Sequence, residues 1–443
     1  MMIGLTSGEI TIGIPLTITG IDTTNTIISG SGTSRIFNIT SAGTVAFAPL
    51  KLTMGSAIDG GAVYTSGSAV TLTACAITNS TATMRGGDIY AMGGTLNLVS
   101  SRLRANTAAG NLATEGGGGI YNNGTSALTI GIGSEVMSNA ATGTAGSRRW
   151  HSQQHGQPAR GERFQHQRQH VRAGGGIEQN GEGASIMLTN VTLDENSTGP
   201  APGNGGGLRI TGPGSATITG GTVNGNTAAI EGGGPWNGTG AMTVTGTVID
   251  GITATGALAD QGGGGLFNLK GTLTVQNGTV ISNNTATGAA GSGGGIMNDS
   301  TATLIVLNST ISGNSATRAG GGIEFFAKAG QTATGTLTNV TITGNSTGAA
   351  PGNGGRVYIT GPGVMGVTGC TLTGNTAAAE GGGLWNGSGT LTGCREQWHH
   401  RWRVCAARCG QPAHHRREWS VLLDQFGEPS IRCALEQHDH AGQ

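Results

Sequence analysis

The sequence predicts an all-β protein, a parallel β-helix of about a dozen coils, and three observations carry that reading. A glycine cluster followed by an aliphatic residue recurs along the chain, as in Gly60-Gly61-Ala62-Val63, Gly86-Gly87-Asp88-Ile89 and Gly117-Gly118-Gly119-Ile120. It returns at Ile177, Leu208, Leu266, Ile296, Ile323, Val357 and Leu384, with Pro235 holding the aliphatic place once. Apart from one gap between Ile120 and Ile177, the spacings run from 26 to 34 residues. A period of that size means that one unit cannot bury its own apolar face and must stack on its neighbours. The second observation is an aliphatic residue three places before Asn106, Asn139, Asn196, Asn226, Asn284, Asn314, Asn345 and Asn375. Asn in register stacks as an amide ladder, each side chain bonded to those above and below. The third is the run between the two marks. Thr336-Leu337-Thr338 and Val340-Thr341-Ile342 alternate with period two, which is a strand signal, and no amphipathic helix of useful length interrupts them.

Each unit is expected to form one coil of about three short strands, with Leu, Ile and Val stacked inward as a narrow column. Such a core explains how 443 residues manage with 4% aromatic residues and 86 Gly. Glycine supplies turn conformations closed to other residues and lets coils approach closely. A longer repeat lies over the short one: Arg172-Ala173-Gly174 through Trp236-Asn237 matches Arg318-Ala319-Gly320 through Trp385-Asn386, a duplication of about five units.

Composition excludes several classes. The formal net charge is zero, so a nucleic-acid partner is not expected. No run of about 18 apolar residues is present to span a bilayer as a helix. The charge is unevenly placed. All ten His, 13 of 20 Arg and four of six Trp fall between Arg148 and Arg172 or beyond Cys394. The chain therefore reads as an array over residues 1–394, with a foreign segment at 148–172 and a foreign tail at 395–443.

Both foreign segments read as array DNA translated out of frame rather than as a genuine basic insertion loop and tail, which leaves a degraded reading frame without function as one alternative for the chain. With CGG for Arg and CAT for His, Arg148-Arg149-Trp150-His151 read one base later becomes Gly-Gly-Gly-Ile. The restored Ile would stand 31 residues after Ile120 and 26 before Ile177. A restored Asn at position 169 would stand 30 after Asn139 and 27 before Asn196. In the tail, Gln397-Trp398-His399-His400 shifts to Asn-Gly-Ile-Thr, beside Asp250-Gly251-Ile252-Thr253.

The glycine and Asn marks resemble the polymorphic outer-membrane protein repeat, in which Gly-Gly-Ala-Ile and Phe-x-x-Asn motifs alternate along a right-handed β-helix. Gly60-Gly61-Ala62-Val63 is nearly the first motif; the second has Ile, Leu or Val in place of Phe. That departure favours the broader group of bacterial surface β-helix proteins over the chlamydial branch. The opening, Leu5-Thr6-Ser7-Gly8 with Leu16-Thr17-Ile18-Thr19-Gly20, resembles that group's first coils. The resemblance implies a right-handed helix at the cell surface, outside the cell or at an outer membrane. It implies an adhesive passenger or stalk whose partners are surface glycans or proteins of a host or neighbouring cell. Members usually carry a signal peptide and a C-terminal anchor, and the sequence shows neither pattern: Met1-Met2 leads straight into a strand-like run.

No catalytic, cofactor-binding or metal-binding residues are assigned. Parallel β-helices also carry polysaccharide lyases and hydrolases, which need carboxylates, or a carboxylate with Arg or Lys, from neighbouring coils. Asp59, Glu115, Glu231 and Glu380 precede glycine clusters, and Glu178 and Glu324 follow them. They recur with the repeat and are expected as turn or surface residues; Asp194-Glu195 is an adjacent acidic pair without a nearby basic partner. Cys405, Cys409, His414 and His415 have zinc-like spacing but stand in the out-of-frame tail, as do His438 and His440. Cys75 and Cys370 are expected as small buried thiols, too far apart to bridge. Trp236 and Trp385, equivalent in the duplication, are expected to pack locally rather than stack on sugars.

Overall fold

The computed structural model describes residues 1–112, 114–143, 174–181, 183–200, 203–349, 352–379 and 382–392, with 422–423 and 429–430. One coil shows how the rest are made. Strands run over Ile296–Asp299, Thr303–Leu307, Thr310–Ser312 and Ser315–Ala316, and the next coil opens at Ile323–Phe326. Each strand pairs in parallel with its counterpart one coil away. Repetition gives four stacked sheets, three of 13 strands and one of 11. The chain is thus a parallel β-solenoid, all-β among the described residues. The first sheet holds the strands after the glycine clusters, and the second, third and fourth follow in coil order. The coil has four strands rather than three: the two residues after each ladder Asn, such as Ser315–Ala316, pair on their own account.

The period-two pattern produces the core. In Thr272–Gln276, Leu273 and Val275 are buried while Thr272, Thr274 and Gln276 face outward. Register places like on like, so Leu103 stands on Val136, Val136 on Leu193, and Ile281 on Ile311. Each such side chain contributes roughly 1.5–3 kcal/mol of burial, repeated at every coil.

The turn between the third and fourth sheets is made by one residue in the left-handed region. It is Gly313 at φ 63° in one coil, and Asn283 at 54° and Glu195 at 55° in others. Glycine adopts this without strain, and Asn more readily than most residues. Close stacking sets the other glycine requirement: a Cβ on Gly294 would lie 2.3 Å from the Ser315 carbonyl.

Coil length varies mainly at one corner, between the fourth sheet and the first. That connection runs from Ala316 to Ile323 in one coil and from Ala254 to Leu266 in another. Ile120 pairs directly with Ile177, and Ala140 with Ser197. The stack therefore has no missing coil between them. Residues 148–172 and most of 395–443 lie outside the described residues; Leu422–Leu423 and Pro429–Ser430 pair antiparallel.

Candidate functional site

Three features of the coil stack place polar chemistry: the amide ladders, the outer face of the first sheet, and the outer face of the second.

The eight ladder residues fall into two runs of four. Nδ2 of Asn106 donates to Oδ1 of Asn139 at 2.9 Å, Asn139 to Asn196 at 3.0 Å, and Asn196 to Asn226 at 3.0 Å. The second run joins Asn284 to Asn314, Asn314 to Asn345 and Asn345 to Asn375 at 2.8–2.9 Å. Buried Ile252 separates the runs, and its own amide donates to Oδ1 of Asn284. Within each run, Oδ1 also accepts the backbone N–H of the preceding Asn, as from Asn284 to Asn314 at 2.9 Å, while Asn106 at the head of the first run accepts from Ser80. A second ladder, absent from the sequence reading, lies inside the first sheet: Asn237 donates to Asn268, and Asn268 to Asn298, both at 2.9 Å. Its signal was the Asn two places after Pro235, Leu266 and Ile296. It stops where Phe325 takes the next position.

The outward column of the first sheet is mostly buried. In register it runs through Tyr64, Tyr90, Tyr121, Glu178, Arg209, Trp236, Phe267, Met297, Glu324, Tyr358 and Trp385. The variable connections cover most of it, as where Tyr121 donates its hydroxyl to the Thr114 carbonyl at 2.6 Å. Tyr64, Tyr90 and Tyr121 stack with centroids 5.3 and 5.4 Å apart, and Arg85 lies over Tyr90 while paired to Asp59 at 2.7 Å. Trp236, Phe267 and Met297 form a small second core. Trp236 is fully buried and donates Nε1 to Glu231 at 3.0 Å, so its ring is not open to a sugar; Trp385 is half-buried against Tyr358 at 4.4 Å.

Glu178 and Glu324 stand in this column and are fully buried, which corrects their expected turn or surface placement. A residue pointing away from the sheet is sealed when the connection folds over it. Each carboxylate has an arginine. Arg209 Nη1 donates to Glu178 at 2.6 Å from the next coil; Arg318 Nη2 donates to Glu324, and its Nε to Ser292. Burial pushes the Glu324 carboxyl up, opposed by the Arg318 charge. Both arginines were missed, although Arg318 stands six residues before Glu324 in the glycine-cluster repeat.

A looser charge cluster sits at the edge of this column. Lys328 bonds Asp260 at 2.9 Å across two coils, and Asp299 lies on the strand between. Asp299 is only 6% exposed. Burial first, then the charges of Glu231 and Asp260, push its carboxyl up to about 7. None of Asp260, Asp299 and Lys328 was singled out in the sequence, because no motif joins them; only stacking does. Of the acidic residues that were, Glu115 is buried and accepts the Asn111 and Leu112 amides, and Glu231 also accepts from Asn204. Glu380 lies outside the described residues. Asp194 accepts the Asn224 amide at 2.9 Å, and Glu195 accepts from Ser138. These do not converge on one point.

Cys75 is buried, with its thiol pushed up by burial, and Cys370 is half-buried; neither is in a disulfide. The zinc-spaced Cys and His lie outside the described residues, among which no group of three or more His, Cys, Asp or Glu could hold a metal. No helix among them is long and apolar enough to cross a membrane.

The outer face of the second sheet is different in kind. Its 13 strands, from Leu16–Thr19 to Thr390–Thr392, contain no Asp, Glu, Lys or Arg, and most outward positions are Thr. Compared with known proteins, the chain matches no family model, no curated protein and no solved structure.

Proposed function

We propose that the chain is a non-enzymatic binding scaffold, the passenger or stalk of a secreted or surface-exposed protein with an adhesive role. The observation that supports this is the uncharged, threonine-lined face of the second sheet, repeated over 13 strands. One hydroxyl contact is weak. Many presented at once on a rigid support raise the overall affinity without any new kind of contact. The natural ligands for such a face are uncharged or hydroxylated surfaces, surface glycans among them.

The test is to immobilise the chain and incubate it with a panel of polysaccharides and cell surfaces, measuring retention and released sugar together. Retention without release is expected. Steady release of new sugar ends would refute the reading and favour a second one, a polysaccharide-degrading enzyme. The observation behind that alternative is Asp299 beside the Asp260–Lys328 pair, an acid whose pKa of about 7 suits general-acid work near neutrality. Release due to this cluster would disappear in Asp299→Asn.

A further inference from the structure

The four sheets do not offer equal surfaces. The first is covered by the connections. The third carries Lys51, Arg102, Arg104, Glu135, Asp194 and Asp250. The fourth is mostly two residues wide, so it presents a single file. Only the second sheet is both broad and free of charge. Its most regular part spans three strands, Ser215–Thr219, Ala241–Thr245 and Thr272–Gln276. Register runs residue for residue through them: Thr217 on Thr243 on Thr274, and Thr219 on Thr245. The hydroxyls of Thr217, Thr243 and Thr274 have no hydrogen-bond partner among the described residues.

Parallel strands fix the geometry of this lattice at about 4.8 Å between neighbours and about 6.6 Å between alternate residues along a strand. β-Branched Thr is stiff about χ1, so a row of them holds methyl and hydroxyl groups in repeated positions. Methyl groups order the water around them, and free hydroxyls bond it. The two repeats are close to those of oxygen rows at an ice surface. A charged surface would instead bind its own hydration shell, and none of that charge is present here.

From this geometry we infer that the second sheet is an ice-binding face, with Thr217, Thr219, Thr243, Thr245 and Thr274 at its centre. The ligand is the ordered water lattice of a growing ice surface, held by many identical weak contacts. This rests on the scaffold reading and names the surface to which the scaffold adheres.

The experiment freezes a solution of the full chain slowly and measures its partition between ice and liquid, alongside the shape of a single ice crystal. The chain is expected to enter the ice and facet the crystal. Thr243→Lys, and separately Thr217→Lys, place a charge in the lattice and should leave the chain in the liquid. Thr341→Lys, an outward position on the third sheet, should behave as the parent. Far-ultraviolet circular dichroism checks that each variant keeps its β signal; both lattice positions face solvent, so folding is expected. A folded parent chain that stays in the liquid overturns the inference, as does equal loss in Thr243→Lys and Thr341→Lys. Binding to crystalline cellulose or chitin with exclusion from ice also overturns it, while leaving the scaffold reading intact. Release of sugar would instead overturn the scaffold reading itself.

Discussion

Replacing Asn314 by Ala tests whether the amide ladder holds neighbouring coils together. Asn314 is fully buried. Its Nδ2 donates to the Ile281 carbonyl at 3.0 Å and to Asn345 at 2.9 Å, and its Oδ1 accepts the Asn284 N–H and Nδ2, both at 2.9 Å. Truncation does not orphan every partner. Asn345 Oδ1 keeps the backbone N–H of residue 314, and Asn284 Nδ2 keeps the Ile249 carbonyl. The Asn284 N–H loses the acceptor it has here and stays buried, which costs about 1–3 kcal/mol. The other three lost bonds contribute about 1 kcal/mol each, so the expected loss is roughly 4–6 kcal/mol. In a solenoid this loss falls on one interface between coils, and it can split the unfolding transition there. Urea unfolding followed by circular dichroism measures the loss, and hydrogen exchange at the Asn284 amide locates it. The control is Ser312→Ala, at an outward position on the adjoining strand. If Asn314→Ala unfolds within about 0.5 kcal/mol of that control, the ladder does not hold the coils.

Other perturbations reach different parts of the stack. Ile252→Asn should rejoin the two ladder runs and offset most of the lost apolar burial, staying within about 1 kcal/mol of the parent, whereas Ile252→Ala should cost about 2–5 kcal/mol; equal losses in urea would refute the bridging. Gly335→Ala would bring a Cβ to 2.4 Å from the Phe325 ring, and a loss of about 1–3 kcal/mol in urea unfolding is expected. Glu324→Ala leaves Arg318 buried without its carboxylate and should cost about 3–5 kcal/mol; urea titration showing less than about 1 would mean the pair contributes little. Asp299 should make stability fall with pH. Below its ordinary value of 3.8 both states are protonated; between there and about 7 the unfolded chain loses the proton first, so stability drops, by up to about 4 kcal/mol, and then levels off. Stability measured across that range should lose this slope in Asp299→Asn.

What could be read in the sequence was whatever must repeat. The Asn ladder was visible because each amide has to meet another one coil away, so its spacing is set by the stack. Ile252 interrupts it at a place where spacing alone shows only a missing Asn. The outward column of the first sheet was not visible. Glu178 and Glu324 follow an aliphatic mark, as a solvent-facing strand residue would, and nothing local says that a connection of variable length closes over them. The Asp260–Lys328 pair was harder still, since it joins positions 68 residues apart that share no motif. Repetition encodes contacts between like positions; contacts between unlike ones are set by the irregular corner.

That corner also separates two rates of change. A coil fixed by strand register, ladder and inward column tolerates little, yet the connection from the fourth sheet to the first differs in length from coil to coil while Ile120 still meets Ile177. Insertions at this edge leave the pairing of the flanking coils intact. The edge is therefore the natural place for lineages to diversify, and for an engineer to graft a peptide or a small domain for display at intervals along a stiff rod.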